Sequence, residues 1–295
     1  LNHLLSAAEL LSILPYPEID PVAFSIGPVA VRWYGLAYVA GILGAWMLAE
    51  RMIARPKLWP GEVAPLGKAA LGDFIIWATV GIVVGGRLGY ALFYDTARSL
   101  EDPLSILQIW NGGMSFHGGL AGTILAMVLF SRRHGIRTWS LVDIVASVAP
   151  LGIFFGRIAN FINGELWGRP SDVPWAMVFP TGGPVPRHPS QLYEAIVEGL
   201  LIFLLLQAIV YLTPALRKPG QVAGIFACAY GAARIFSELF REPDANLGYL
   251  AGGWLTMGMI LSIPVVVAGI WAVWRARTAD VPQTAPPLER NGGRE

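Results

Sequence analysis

The chain has 295 residues, 55% hydrophobic and 14% charged, with a mean hydropathy of +0.55; a soluble domain carries about 25% charged residues, so this chain belongs in a bilayer. A formal net charge of +1 without any basic tract or basic patch interleaved with aromatics excludes nucleic acid as a partner. The single cysteine, Cys228, lies in an apolar run without a thiolate-stabilising neighbour and reads as a buried structural thiol, which argues against redox chemistry.

Positions 1–17 lack a basic n-region and a small-residue cleavage site, so a removable signal peptide is not expected there. Apolar windows of membrane-spanning length follow at 33–53, 71–94, 116–130, 141–161, 193–212, 221–240 and 254–274. Basic residues mark alternate connections: Arg51, Arg55, Lys57 and Lys68 after the first window, Arg132, Arg133 and Arg137 after the third, Arg217 and Lys218 after the fifth, Arg275 and Arg277 after the last. The positive-inside rule makes these loops cytoplasmic, with the amino terminus outside and the carboxyl terminus inside. On the outer side Arg98 is set among Asp95, Glu101 and Asp102. Asp102-Pro103 reads as a helix cap followed by a first-turn proline, opening a short apolar segment through Trp110 and marking an interfacial arm over about 95–115. The stretch over about 164–190 is broken by Pro170, Pro174, Pro180, Gly182, Gly183, Pro184, Pro186 and Pro189 and reads as a small external head. The expected fold is an all-α polytopic membrane protein of about seven transmembrane helices with that head and arm. It forms one integral membrane domain over 1–275, followed by a flexible cytoplasmic tail over 276–295 containing Pro282, Pro286, Pro287, Gly292 and Gly293.

Chemistry concentrates in GRIANFINGELWG at 156–168, where Arg157, Asn160, Asn163 and Glu165 stand at the edge of a hydrocarbon-like run. Polar groups are costly there, and this set offers a dense cluster of donors and acceptors to an anionic ligand. Arg87, Arg157 and Arg234 each fall late in a helix running outward, so all three reach the outer half of the bilayer and one level can hold their guanidiniums. Permanently charged planar forks suit a phospholipid phosphate. The alternative is pairing with protein carboxylates or snorkelling; it is strongest for Arg87, near its helix end, and applies in part to Arg234, which has Glu238 at i+4. In GGMSFHGG at 112–119, His117 stands among four glycines at the outer start of the third window, either as a proton acceptor or as a hydrogen-bonded structural group. His3, His134 and His188 show no ligand spacing, so a metal site is not expected. His117 also stands where a nucleophile elbow needs glycine, which argues against a serine hydrolase. Among tyrosines near window ends, Tyr34 and Tyr230 are the candidates for donors into the site, the others belonging to an aromatic belt.

Together these runs resemble the bacterial phosphatidylglycerol:prolipoprotein diacylglyceryl transferase family over nearly the whole chain. The resemblance rests on GPVAVRWYGL at 27–36, GGRLGY at 85–90, the runs at 112–119 and 156–168, RHPSQLYE at 187–194, and YGAARIFSELFREPD at 230–244. It implies transfer of a diacylglyceryl group from phosphatidylglycerol to the lipobox cysteine of a prolipoprotein signal peptide. A thioether forms and glycerol phosphate leaves, in the first step of lipoprotein maturation, at the bacterial inner membrane and without a cofactor. On this reading Arg157 and Arg234 bind the phosphate and stabilise the leaving group, Glu238 orients Arg234, and Asn160 and Asn163 donate to headgroup oxygens. His117 is the candidate base, and Tyr34, Arg87, Glu165, Gly168 and Tyr230 complete the substrate-binding set. Two other readings stay open on the residues alone: a small-anion transporter, which also uses intramembrane arginines, and a non-catalytic lipid-binding or assembly protein.

Overall fold

A computed structural model describes residues 14–243 and 248–278. His3, Asp244 and nearly all of the expected tail lie outside the described residues. Two short strands, β1 (Val22–Ile26) and β2 (Val29–Arg32), precede the helices α1 (Trp33–Ile53), α2 (Lys68–Phe93), α3 (Thr96–Glu101), α4 (Phe116–Arg133), α5 (Thr138–Ile162), α6 (Ser190–Leu212), α7 (Gln221–Glu238) and α8 (Met257–Thr278). Each apolar window is helical over most of its length, residues 94, 239–240 and 254–256 lying outside the helices. Five of them, α1, α2, α5, α6 and α8, are long and apolar enough to cross a membrane. The other two are 18-residue helices of more mixed composition: α4 holds Gly118, Gly119, Gly122, Arg132 and Arg133, and α7 holds Gln221, Arg234 and Glu238. The hairpin was not expected. Its β-branched residues alternate around a two-residue turn in which Gly27 takes φ 58°, and β1 and β2 pair antiparallel with Ile26 opposite Val29.

The described residues fall into two compact units: those of Leu1–Ala49 with Val145–Asp280, and those of Glu50–Ile144. Within the second, α2 and α4 meet through glycines. A Cβ on Gly81 would lie 2.6 Å from the Gly122 carbonyl oxygen, and one on Gly89 would lie 2.8 Å from Gly118 Cα, so these backbones touch where any side chain would separate them. Within the first, α7 and α8 approach in the same way, a Cβ on Gly224 falling 2.8 Å from the Gly269 carbonyl oxygen. Glycine is used because apolar burial gives helices no driving force for association in lipid, and close van der Waals approach must supply it. The outward faces remain apolar: Phe93, Leu92 and Ile76 are 80%, 64% and 64% exposed, a surface suited to acyl chains and not to water.

The interior of α6 departs from α-geometry. Residues Ala195–Leu201 form a π segment, and it carries Glu198, one turn beyond Glu194. Wide turns of this kind reorient side chains and recur at functional sites.

Candidate active site

Glu194 and Glu198 are both fully buried, and three arginines of the first unit converge on them. Arg157 of α5 places Nη2 2.8 Å from Glu194 Oε2 and 3.7 Å from Glu198 Oε2. Arg234 of α7 places Nη1 3.1 Å from Glu194 Oε2 and 3.4 Å from Glu198 Oε1, while its Nη2 lies 2.5 Å from Glu238 Oε1. Arg241, just beyond α7, reaches the same Glu194 oxygen at 3.5 Å and Glu238 at 4.0 Å. One carboxylate oxygen is thus shared by three guanidiniums, and the cluster balances three positive charges with three negative ones. Glu238 is further held by Thr256, whose Oγ1 donates to its Oε2 at 2.6 Å. Burial of these charges is tolerable only because they are paired; removing one partner leaves the others stranded in a poorly solvated interior.

Exposure within the cluster is uneven. The side chains of Arg157, Arg234 and Arg241 are 19%, 15% and 11% exposed, whereas Glu194 and Glu198 are at zero, so an incoming anion meets the guanidiniums first. The i,i+4 pairing of Arg234 with Glu238 was expected. In the sequence Glu194 is visible only as the end of the motif at 187–194, and neither Glu198 nor the role of Arg241 is expected. Two acidic residues one turn apart inside the window 193–212 were the available signal.

At the end of α5 the polar side chains bind one another. Asn160 Nδ2 donates to Glu165 Oε1 at 2.8 Å and to Tyr34 Oη at 3.4 Å, and Asn163 Nδ2 reaches the same Glu165 oxygen at 3.5 Å. Both amides expected to donate to headgroup oxygens therefore have protein acceptors here. The turn itself is closed by residues distant in sequence. Tyr16 donates to the carbonyls of Phe161 and Ile162 at 2.6 and 3.0 Å, the hydroxyl of Thr181 donates to Gly164, and Gln191 Nε2 donates to the Glu165 carbonyl at 2.7 Å. These bonds fix the end of the helix and the turn that follows it, the Phe161 carbonyl also accepting from the Gly164 N–H at 2.9 Å. Tyr230 lies within electrostatic reach of Glu198, Arg234, Arg157 and Glu194. Gly168, expected among substrate-binding residues, has a packing reason to be glycine: a Cβ there would lie 2.5 Å from the Phe240 carbonyl oxygen and 2.6 Å from that of His188. Arg169 then fastens the following segment to the end of α7, donating to the carbonyls of Arg241 and Glu238 at 2.8 and 2.9 Å. In the same segment burial, then the charge of Arg169, lowers the pKa of His188 below its ordinary value, with Asp172 opposing.

In the second unit His117 is exposed at the first turn of α4, its ring edge-on to Phe116 at 5.6 Å, and Ser115 caps the helix by accepting from the Gly118 N–H at 3.2 Å. Arg87 is buried. Its donors go to backbone carbonyls: Nε to Ile106 at 2.8 Å, Nη1 to Gly112 at 2.6 Å and Gly113 at 3.0 Å, and Nη2 to Ser105 at 2.6 Å. A guanidinium has five N–H groups, so four are committed and the fork needed for a phosphate is taken. Arg87 was expected among the substrate-binding residues; here its guanidinium is engaged by the backbone.

The sequence matches the family model described as "Prolipoprotein diacylglyceryl transferase" over residues 21–275. It is 63% identical to the phosphatidylglycerol–prolipoprotein diacylglyceryl transferase of Allorhizobium ampelinum over 274 residues, covering 93% of this chain and 96% of that protein. Identity to the protein of the same name from Rhizobium leguminosarum bv. trifolii is 62% over 273 residues, covering 92% and 97%. Against that from Brucella anthropi it is 56% over 269 residues, covering 91% and 96%. This integral membrane protein belongs to the prolipoprotein diacylglyceryl transferase family.

Proposed function

We propose that this protein transfers the diacylglyceryl group of phosphatidylglycerol to the lipobox cysteine of prolipoproteins, at the outer face of the bacterial inner membrane. The observation that carries the reading is the arginine cluster: Arg157, Arg234 and Arg241 are more accessible than the carboxylates Glu194 and Glu198 that neutralise them. A phosphodiester entering from the open side exchanges for carboxylate contacts on forks that already face it.

In the reaction the cysteine sulfur attacks the diacylglycerol carbon that bears the phosphate. A C–S bond forms, the C–O bond breaks, and its electron pair stays on the departing glycerol phosphate. The phosphodiester carries one negative charge and the monoester gains a second, so Arg157 and Arg234 stabilise the transition state more than the ground state. Glu238 orients Arg234 through their 2.5 Å contact. The thiol proton must leave, since a thiol of pKa about 8.5 is only slightly ionised at neutral pH, and His117 is its acceptor. Tyr34, Asn160, Asn163, Glu165 and Tyr230 form the polar surroundings of the headgroup, with Gly168 holding the head segment close. All seven windows cross the membrane, with the amino terminus outside and the carboxyl terminus in the cytoplasm. Residues 1–275 act as a single catalytic domain, with 95–115 as its interfacial arm and 164–190 as its external head, followed by the tail 276–295.

The test is transfer of labelled diacylglyceryl from phosphatidylglycerol vesicles to a lipobox peptide, with Arg157→Ala and a Cys→Ser peptide as controls. Label that requires both the cysteine and Arg157 is the expected result. Absence of label on the peptide with every lipid composition overturns the reading and favours an anion transporter.

A further inference from the structure

We propose that Arg87 is a positioning residue for the transfer reaction: it fastens the arm over 103–111 to the loop that presents His117, and it does not hold lipid phosphate. The inference rests on the proposed transfer reaction and on His117 taking part in it. Two short 3₁₀ helices, Pro103–Leu107 and Ile109–Asn111, make up this part of the arm. Their apolar side chains point away from the protein, with Leu104, Leu107 and Trp110 at 69%, 69% and 77% exposed, so little apolar packing within this unit holds the segment down. Ser105 is the buried exception, and its carbonyl is one of the four that Arg87 binds.

The same guanidinium takes the carbonyls of Gly112 and Gly113, whose φ values of 76° and 78° turn the chain sharply toward α4. Two further contacts make the loop rigid. The Ser115 N–H donates to the Gly86 carbonyl at 2.9 Å, and the Tyr90 ring lies so close to Gly113 that a Cβ there would meet its Cε1 at 2.5 Å. Ser115 caps the helix on which His117 is the second residue. A continuous chain of contacts therefore runs from the arm through Arg87 to the residue before that helix. The planar fork spreads its donors over three nitrogens and so spans carbonyls in both segments; lysine keeps the charge but gathers its three donors on one nitrogen.

The test uses the full-length protein in nanodiscs containing phosphatidylglycerol and compares wild type with Arg87→Lys and Gly113→Ala, the second variant disturbing the loop while leaving Arg87 in place. In both, kcat for diacylglyceryl transfer falls about 10- to 100-fold, as displacement of a reacting group by an ångström does, while KM for phosphatidylglycerol stays within about twofold. Amide hydrogen exchange over 103–115 accelerates about tenfold or more in Arg87→Lys and is unchanged over 156–168. A rise in KM with kcat retained overturns the proposal in favour of a headgroup ligand. Faster exchange with normal kcat reduces Arg87 to a structural staple and also overturns it. A wild-type protein that makes no thioether overturns the transfer reading together with this role; a wild type that transfers and an Arg87→Lys enzyme that matches it overturn this role alone.

Discussion

Arg157 and Arg87 both belong to long apolar helices, and each follows a glycine in a similar local run, yet the two regions treat the same side chain differently. In the first unit Arg157, Arg234 and Arg241 are bound by the carboxylates of Glu194, Glu198 and Glu238. In the second, Arg87 is bound by the carbonyls of Ser105, Ile106, Gly112 and Gly113. Carboxylates on side chains can exchange for another anion without moving the backbone. Carbonyls cannot, because releasing them releases the segment they belong to. Arg169, on the carbonyls of Glu238 and Arg241, behaves like Arg87 although it lies in the first unit. The partner, more than the arginine, separates a ligand site from a staple.

The largest expected effect comes from Glu194, whose single oxygen serves three arginines. Glu194→Ala lowers stability by about 3–5 kcal/mol in denaturant unfolding in micelles, since it strands buried cations; a loss below about 1 kcal/mol would show that the cluster is not held by charge pairing. Arg157→Ala reduces turnover about 10²- to 10³-fold, the loss typical of one preorganised donor to a developing oxyanion, and costs less stability than Glu194→Ala because Arg234 and Arg241 still pair with Glu194. Arg169→Ala reverses that pattern: the loss of two charge-assisted bonds costs about 1.5–3 kcal/mol of stability each, and turnover falls less than in Arg157→Ala. Gly168→Ala, whose Cβ meets backbone oxygens that cannot swing away, costs about 1–3 kcal/mol.

The smallest effect is on pH dependence. The depressed pKa of His188 means that the unfolded chain takes up the proton first as pH falls. Its contribution to stability is therefore complete above the unfolded value of about 6.5 and declines as pH falls from there toward the folded value. His188→Gln flattens that limb of a melting-temperature profile recorded between about pH 8 and pH 5. A wild-type profile that rises on acidification would mean that the charge of Asp172 outweighs burial and Arg169 at His188.

The turn chemistry was only partly visible in advance. Asp102 accepts from the Leu104 N–H at 3.2 Å, as the Asp-Pro signal expects. The hairpin before α1 is not legible in the sequence because two short strands add little to a pattern dominated by helical windows. Nor is the role of Tyr16, because nothing near it in sequence says that its hydroxyl closes a helix ending 146 residues later.

By itself, the sequence determined the membrane class, the helical windows, the polar run that ends α5 and the family motifs, since hydropathy, periodicity and residue type are local properties. Only the tertiary structure decided what each arginine binds. Glu194 and Arg157 are separated by the whole head segment, and the carbonyls around Arg87 come from residues 105–113, so their pairing depends on how distant segments fold together. An arginine late in an apolar helix looks the same in sequence whether its partner is a carboxylate or a carbonyl, and that partner decides whether it can take a phosphate.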